Sequence, residues 1–192
     1  VDKGQEGDIQ GQTLLITGGA GRVGYYAIQW AVKAGAEVIS TASNSSDRDL
    51  CLALGAKAVV NHREEDWGQQ VLVATSGKKV DRVIDVEFGA NLPQILGCIA
   101  PNGVIATYSS TQVKTPSLPF LDMMYMDLTL RMVIVYAMPE SAKQAAIEAI
   151  SIALEQGKLE HRVTHVVPLE KISKAHELIE TGGFGGCVFV SM

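Results

Sequence analysis

Residues 11–24 read GQTLLITGGAGRVG, and this stretch decides the fold. Residues 13–17 form a short apolar run, rich in β-branched side chains and ended by glycines, which is typical of a buried strand. A GxGxxG pattern follows at once and opens a predicted helix; its residues are Gly19, Ala20, Gly21, Arg22, Val23 and Gly24. Strand, glycine turn and helix in this order predict a dinucleotide-binding crossover.

Each glycine of the pattern has an expected role. Gly19 permits a tight turn, Gly21 lets the backbone approach a pyrophosphate, and Gly24 lets the helix pack closely on the strand. The free N–H groups at the start of the helix, aided by its dipole, would hold the phosphates. The alternative is a glycine-rich turn that binds no ligand.

Strands and helices alternate along the rest of the chain. Further strands are predicted over 37–41, 58–60, 80–86, 104–108 and 130–136. Helices are predicted over 23–34, 45–54, 63–76 and 141–155, together with a short one over 122–126 and one that Asn91 caps, with Pro93 in its first turn. The spacing of the first helix predicts one apolar face, made of Val23, Ala27, Trp30, Ala31 and Ala34.

This order predicts an α/β fold with a doubly wound, six-stranded parallel sheet of the Rossmann type. A strand over 163–167, a helix over 169–181 and a strand over 187–190 would form a C-terminal strand-helix-strand appendage. We therefore divide the chain into a nucleotide-binding domain, residues 1–160, and a C-terminal segment, residues 161–192.

Composition limits the function further. The 192 residues carry a net charge of -5, which argues against a nucleic-acid partner, and no apolar run is long enough for a membrane helix. Three scattered cysteines, Cys51, Cys98 and Cys187, predict neither a disulfide framework nor a zinc site, and so favour a reducing, cytoplasmic location. His161 and His165 are four residues apart but have no third ligand nearby, so no metal site is expected.

The end of the second strand predicts which dinucleotide binds. An NAD site usually has an acid there to bind the ribose 2′-hydroxyl, and none is present. Ser43 and Asn44 offer neutral donors and Arg48 can pair with a 2′-phosphate, so NADP(H) is favoured over NAD, although Asp47 weakens the electrostatic argument. Alternatively, the segment from Ser43 to Ser46 only caps the next helix and Arg48 is a solvated charge.

Two further strand ends lie at the same edge of the predicted sheet. Tyr108 and Ser109 follow the fifth strand and are candidates for contact with the nicotinamide ribose; the alternative is a polar strand end without a ligand. Glu87 follows the fourth strand, where it would either line the pocket or be solvated.

In residues 11–24, 54–66, 80–89, 103–110 and 168–180 the sequence resembles the medium-chain dehydrogenase/reductases, within them the zinc-free quinone oxidoreductases related to zeta-crystallin. The resemblance spans nearly the whole chain. It implies a GroES-like substrate domain upstream of Val1, so we expect a piece of a longer protein. Residues 161–192 would complete that missing domain.

The resemblance also implies chemistry: hydride transfer from NADPH to a small-molecule substrate, a quinone or an activated carbonyl or alkene. It places His62 at the adenosine end, where most relatives have Tyr, and it implies a homodimer through the strand from Thr129 to Tyr136. Relatives often have a basic residue where Cys187 stands. We assign no catalytic residue, since such residues are expected upstream of Val1, and we expect the chain alone to turn over poorly.

Two other functions stay open. The chain could be the cofactor domain of a zinc-dependent alcohol dehydrogenase, or a non-catalytic NADP-binding module. A short-chain dehydrogenase is rejected because no tyrosine has a lysine four residues further on, and a methyltransferase is disfavoured by the missing acid after the second strand.

Overall fold

A computed structural model describes residues 9–182 and 184–192. Six strands form one parallel sheet in the order β3-β2-β1-β4-β5-β6. They are β1 (Thr13–Ile16), β2 (Glu37–Ala42), β3 (Ala58–Asn61), β4 (Val80–Asp85), β5 (Ile99–Thr107) and β6 (Thr129–Met132). This order confirms the predicted Rossmann-type fold, with its topological switch between β1 and β4.

Among the described residues, five helices connect successive strands, and a sixth comes after the last strand of the sheet. They are α1 (Arg22–Lys33), α2 (Ser45–Ala53), α3 (Trp67–Ala74), α4 (Phe88–Cys98), α5 (Phe120–Tyr125) and α6 (Glu140–Glu155). No helix in the described ranges is long and apolar enough to cross a membrane.

The sheet is covered on both faces, and β1 shows how. Leu15 packs into one core cluster with residues of α3 and α4, whereas Leu14 and Ile16 pack into the other with residues of α1 and α2. Successive side chains of a strand point to opposite faces, so a strand between two helical layers must be apolar throughout.

Helix α1 buries only part of the predicted face. Ala31 is buried as predicted, whereas Val23 is 50% exposed and Trp30 is 36% exposed, and Ile28 is buried instead. The close approach of Gly24 to the glycine turn sets the rotation of the helix. Gly24, Ile28 and Ala31 then lie on the inner face at helical spacing.

Several predicted boundaries were wrong. Strand β5 begins at Ile99 instead of residue 104, and α3 begins at Trp67 instead of residue 63. Helix α4 begins at Phe88, so Asn91 does not cap it and Pro93 lies inside the helix. Strand β6 ends at Met132, and Val135–Ala137 form a 3₁₀ turn instead of extending the strand to Tyr136. Because β5 ends at Thr107, opposite Met132, the chain beyond Met132 has no strand neighbour with which to continue the pairing.

The C-terminal segment forms a separate two-stranded parallel sheet of β7 (Val163–Pro168) and β8 (Cys187–Ser191), connected by α7 (Ile172–Thr181). This confirms the predicted strand-helix-strand appendage. It is joined to α1 by the side chain of Gln29, which accepts from the Glu160 amide at 2.7 Å and donates to the Glu160 carbonyl at 3.2 Å. Tyr26 adds a hydrogen bond between its hydroxyl and Nδ1 of His161, at 2.9 Å.

Candidate functional site

The glycine turn, which the pattern assigned to Gly19, begins one residue earlier. Gly18 has a φ of +63°, a left-handed conformation that favours glycine. Gly19 is needed for space: a Cβ there would lie 2.0 Å from Oγ of Ser40. Its role is close packing of the turn on β2.

Gly24 packs as expected. A Cβ there would lie 2.4 Å from the carbonyl oxygen of Gly18, so only glycine lets α1 approach β1 this closely. Gly21 precedes the helix, where no side chain caps the first turn and no acidic residue stands in it. The first amides of α1 are therefore free of intrahelical partners and of competing carboxylates, as an anion site at a helix N-terminus requires.

At the end of β2, residues 43–48 form a rim that we call the lip. Asn44 caps α2 by accepting from the Asp47 amide at 2.9 Å, so the capping alternative is realised by Asn44. Arg48 is 59% exposed and 4.0 Å from Asp49. A cavity of about 480 Å³ opens at the lip; Ser43, Asn44, Arg48 and Gln70 are among the residues that line it.

The central cleft lies over the switch between β1 and β4 and has a volume of about 590 Å³. Thr17, Thr41, His62, Asn91 and Ser109 are among the residues around it. Partial burial of the imidazole lowers the pKa of His62 from its ordinary 6.5, and Arg63 lowers it further. His62 is therefore a neutral group of this cleft at pH 7, able to donate or accept one hydrogen bond.

Beneath the cleft is a polar network that the sequence analysis missed. Oδ1 of the fully buried Asp85 accepts from Oγ1 of Thr17 at 2.7 Å and from Nδ2 of Asn91 at 2.8 Å. Its Oδ2 is buried without a protein partner. Burial raises the pKa of Asp85 above its ordinary value, against the hydrogen bonds that lower it. An aspartate at the end of β4, directly after the apolar Val83 and Ile84, was the available signal.

Glu87 lines this cleft, as one of its two alternatives predicted, and it is only 9% exposed. Its carboxylate accepts from the amide and the hydroxyl of Thr111, at 3.0 and 2.6 Å, and from the Gln112 amide at 2.9 Å. Burial alone would raise the pKa of Glu87, but these hydrogen bonds outweigh it and lower the pKa. Glu87 thus fastens the loop after β5 to the start of α4.

Tyr108 and Ser109 lie at the far end of the sheet edge, in a cavity of about 310 Å³ with an apolar wall that includes Met132 and Ile134. Burial, with a smaller effect of Asp85, raises the pKa of Tyr108 to about 12. The phenol is therefore un-ionised at neutral pH and available as a hydrogen-bond donor.

The predicted residues thus fall into three groups along one sheet edge. The glycine turn follows β1 in the middle of the sheet, the lip and His62 follow β2 and β3, and Tyr108 and Ser109 lie by β5 and β6. An elongated ligand with phosphates near its middle would contact all three. This is the edge at which such sheets bind nucleotides.

The two histidines considered as ligands have other contacts. His161 bonds to Tyr26, and His165 packs edge-to-face on Phe184 with ring centroids 4.9 Å apart. In residues 9–182 and 184–192, no group of three or more His, Cys, Asp or Glu side chains has the arrangement of a metal site.

Comparison with known proteins agrees with this geometry. A family model described as zinc-binding dehydrogenase matches residues 23–151. The quinone oxidoreductase of Sus scrofa is 29% identical over 178 residues, which cover 92% of this chain and 53% of the relative. The 2-haloacrylate reductase of a Burkholderia species is 34% identical over 98 residues, 51% of this chain and 29% of the relative.

Solved structures show the same fold. A 2-haloacrylate reductase superposes with a TM-score of 0.85 at 25% identity, covering 96% of this chain and 59% of the other. An NAD-dependent alcohol dehydrogenase superposes with a TM-score of 0.80 at 28% identity, covering 96% and 52%. The chain spans about half the length of the Sus scrofa quinone oxidoreductase and of the alcohol dehydrogenase.

Proposed function

The chain belongs to the zinc-binding dehydrogenase family of medium-chain dehydrogenase/reductases, and on that premise we propose that it is the NADP(H)-binding portion of an oxidoreductase. The observation that carries the proposal is the uncapped, acid-free N-terminus of α1 beside a turn in which Gly19 and Gly24 have no room for a side chain. Such a turn brings backbone amides close to a diphosphate.

In this proposal each part of the sheet edge holds one part of the coenzyme. The amides that follow Gly21 bind the diphosphate, and Arg48 with its neutral neighbours at the lip binds the 2′-phosphate. His62 lies towards the adenosine, while Tyr108 and Ser109 hold the ribose of the nicotinamide. The bound coenzyme supplies the hydride; these residues orient it and exclude water.

We propose a quinone or an activated carbonyl or alkene as the hydride acceptor. Support comes from relatives described as quinone oxidoreductase and 2-haloacrylate reductase, and from the apolar wall beside Tyr108. The runner-up is the cofactor domain of an alcohol dehydrogenase, which a structural relative of that description favours. Zinc content and alcohol oxidation, measured on the protein together with any upstream domain, separate the two.

The domain division and the assembly are proposals as well. Residues 161–192 would complete a substrate domain encoded upstream, which fits their separate sheet. The segment from Thr129 to Tyr136 would form the homodimer contact, since β6 is the last strand of the sheet and Tyr136 is 87% exposed. We place the protein in the cytoplasm, on its scattered cysteines.

Calorimetric titration of the chain with NADPH and with NADH tests the coenzyme assignment. We expect measurable binding of both, tighter for NADPH, and a loss of that preference in Arg48→Gln. Lys174→Gln, an exposed charge on α7 paired with Glu177 at 3.2 Å, is the control. Binding of neither coenzyme, or a clear preference for NADH, would contradict the proposal.

A further inference from the structure

The guanidinium of Arg162 lies between two parts of the proposed coenzyme site. Its Nη1 donates to the carbonyl oxygen of Ala20, on the glycine turn, at 2.9 Å. Nη1 and Nη2 both lie 3.4 Å from Oδ1 of Asp47, on the lip. Arg162 immediately precedes β7, so the C-terminal segment brings a cation to a site built otherwise from the nucleotide-binding sheet.

The side chain of Arg162 is held in this position. The glycines before β8 pack directly on it: a Cβ at Gly185 would lie 2.3 Å from Cζ of Arg162, and one at Gly186 would lie 2.9 Å from its Cγ. Only 26% of the side chain is exposed. A cation fixed in advance loses little conformational entropy when a ligand binds beside it.

Asp47 is the acidic residue of the lip, and it is held from the other side by Asn44. Nδ2 of Asn44 donates to Oδ2 of Asp47 at 2.8 Å, while Oδ1 of Asp47 faces Arg162. The carboxylate is therefore held on the lip, next in sequence to Arg48, which lines the cavity proposed for the 2′-phosphate. Unpaired, it would repel that phosphate, because two negative charges so near each other raise the free energy of the complex.

We propose that Arg162 is a specificity-determining residue, which neutralises Asp47 so that the lip accepts the 2′-phosphate of NADPH. The inference rests on the proposed coenzyme site. With Asp47 paired to Arg162, the exposed Arg48, which has only a 4.0 Å contact with Asp49, can attract the phosphate. Without Arg162, the unpaired carboxylate of Asp47 would offset that attraction and the preference for NADPH over NADH would fall.

The experiment measures dissociation constants for NADPH and NADH with the whole chain and three variants. Arg162→Gln should weaken the binding of NADPH relative to that of NADH by about five- to tenfold at low ionic strength. This difference between the two coenzymes should shrink as salt is added. Asp47→Asn should strengthen the binding of NADPH relative to that of NADH. The double variant should return the ratio to near that of the parent, because the repelling charge and its neutraliser are both gone.

Lys174→Gln serves as the control, since it removes an equal charge far from the lip, and its ratio should not move. Equal weakening of both coenzymes by Arg162→Gln would overturn the inference, because Arg162 would then only support the turn through Ala20. If Arg162→Gln does not fold, Asp47→Asn decides: an unchanged ratio overturns the inference. If the parent chain binds neither coenzyme, the proposed function fails and the inference fails with it.

Discussion

Thr17 and Asp85 join the ends of the two central strands, through a hydrogen bond of 2.7 Å from the threonine hydroxyl to the buried carboxyl. The amide of Val86 donates back to the same hydroxyl at 3.0 Å. The switch point between β1 and β4 is therefore fixed by side chains as well as by backbone pairing. A buried carboxyl in this position makes stability depend on pH.

We expect Asp85→Asn to change that dependence. The folded-state pKa of Asp85 lies above its ordinary 3.8, so its contribution to stability is fully present below about pH 3.8 and is lost as pH rises through the folded-state value. The variant cannot ionise there. Its unfolding free energy, relative to the parent, should therefore rise with pH across that window and then level off.

Urea unfolding between pH 4 and 8 measures this difference. A constant offset of about 1–3 kcal/mol against the variant is expected as well, because its new amide would meet no partner at the Oδ2 position. Asp127→Asn is the control, at an exposed residue with a φ of +48° that asparagine also adopts. Its curve of unfolding free energy against pH should run parallel to that of the parent. Parallel curves for Asp85→Asn would show that burial does not raise this pKa.

Two glycines in helices should respond oppositely to alanine. Gly24→Ala places a Cβ 2.4 Å from the Gly18 carbonyl oxygen, and we expect a loss of about 2–3 kcal/mol together with weaker coenzyme binding. Gly97→Ala meets nothing within 4 Å on α4, and should be neutral or stabilising by up to about 1 kcal/mol. Thermal unfolding of the pair, with and without NADPH, checks both. Equal effects would refute the close approach at Gly24.

Glu87→Gln should loosen the loop after β5. A carboxamide places an N–H₂ where the carboxylate accepted hydrogen bonds from Thr111 or Gln112, so we expect a loss of about 1–2 kcal/mol at neutral pH. The pKa of Glu87 is lowered, so its stabilisation is present above its ordinary 4.5 and is lost as pH falls through the folded-state value. The difference in unfolding free energy between the parent and Glu87→Gln should therefore decrease at acidic pH.

Denaturant melts at pH 7 and pH 3 measure that gap. The exposed Glu148 on α6 provides the control variant, Glu148→Gln, for which no pH-dependent gap is expected. A gap for Glu87→Gln that is as wide at pH 3 as at pH 7 would mean that the ionised carboxylate is not what holds the loop.

The proposed homodimer predicts that Tyr136→Asp dissociates it, since a charge at an 87% exposed aromatic residue would be buried without a partner on association. Val73→Asp, at a 73% exposed apolar residue of α3, should leave the assembly unchanged. Sedimentation equilibrium at several protein concentrations distinguishes them. A parent chain that stays monomeric throughout that range would end the dimer proposal.

The succession of strands along the chain was predictable, because a run such as residues 13–17 carries its own signal of a buried strand. The helix rotation was not: apolar periodicity selected Val23 and Trp30, whereas the contact of Gly24 with Gly18 sets the inner face. Strand β6 was predicted too long for a similar reason, since residues 130–136 are apolar apart from Arg131, but pairing needs a neighbour beyond Thr107.

In the candidate site, too, features formed by neighbouring residues were predictable and contacts between distant residues were not. Local patterns predicted the glycine turn and the lip, because their residues are adjacent in sequence. Contacts between distant residues left no such pattern: Thr17 with Asp85, Glu87 with Thr111, and Arg162 with Asp47 are each known only once the strands are paired.

The two hydrogen bonds between the Gln29 side chain and the Glu160 backbone have a consequence for limited proteolysis. Lys158 is exposed just after α6, so trypsin has an accessible peptide bond there, while the residues that follow are fastened to α1 and to the glycine turn. A chain nicked after Lys158 should stay together as a two-piece complex in gel filtration. It should separate into its fragments only when denaturant is added.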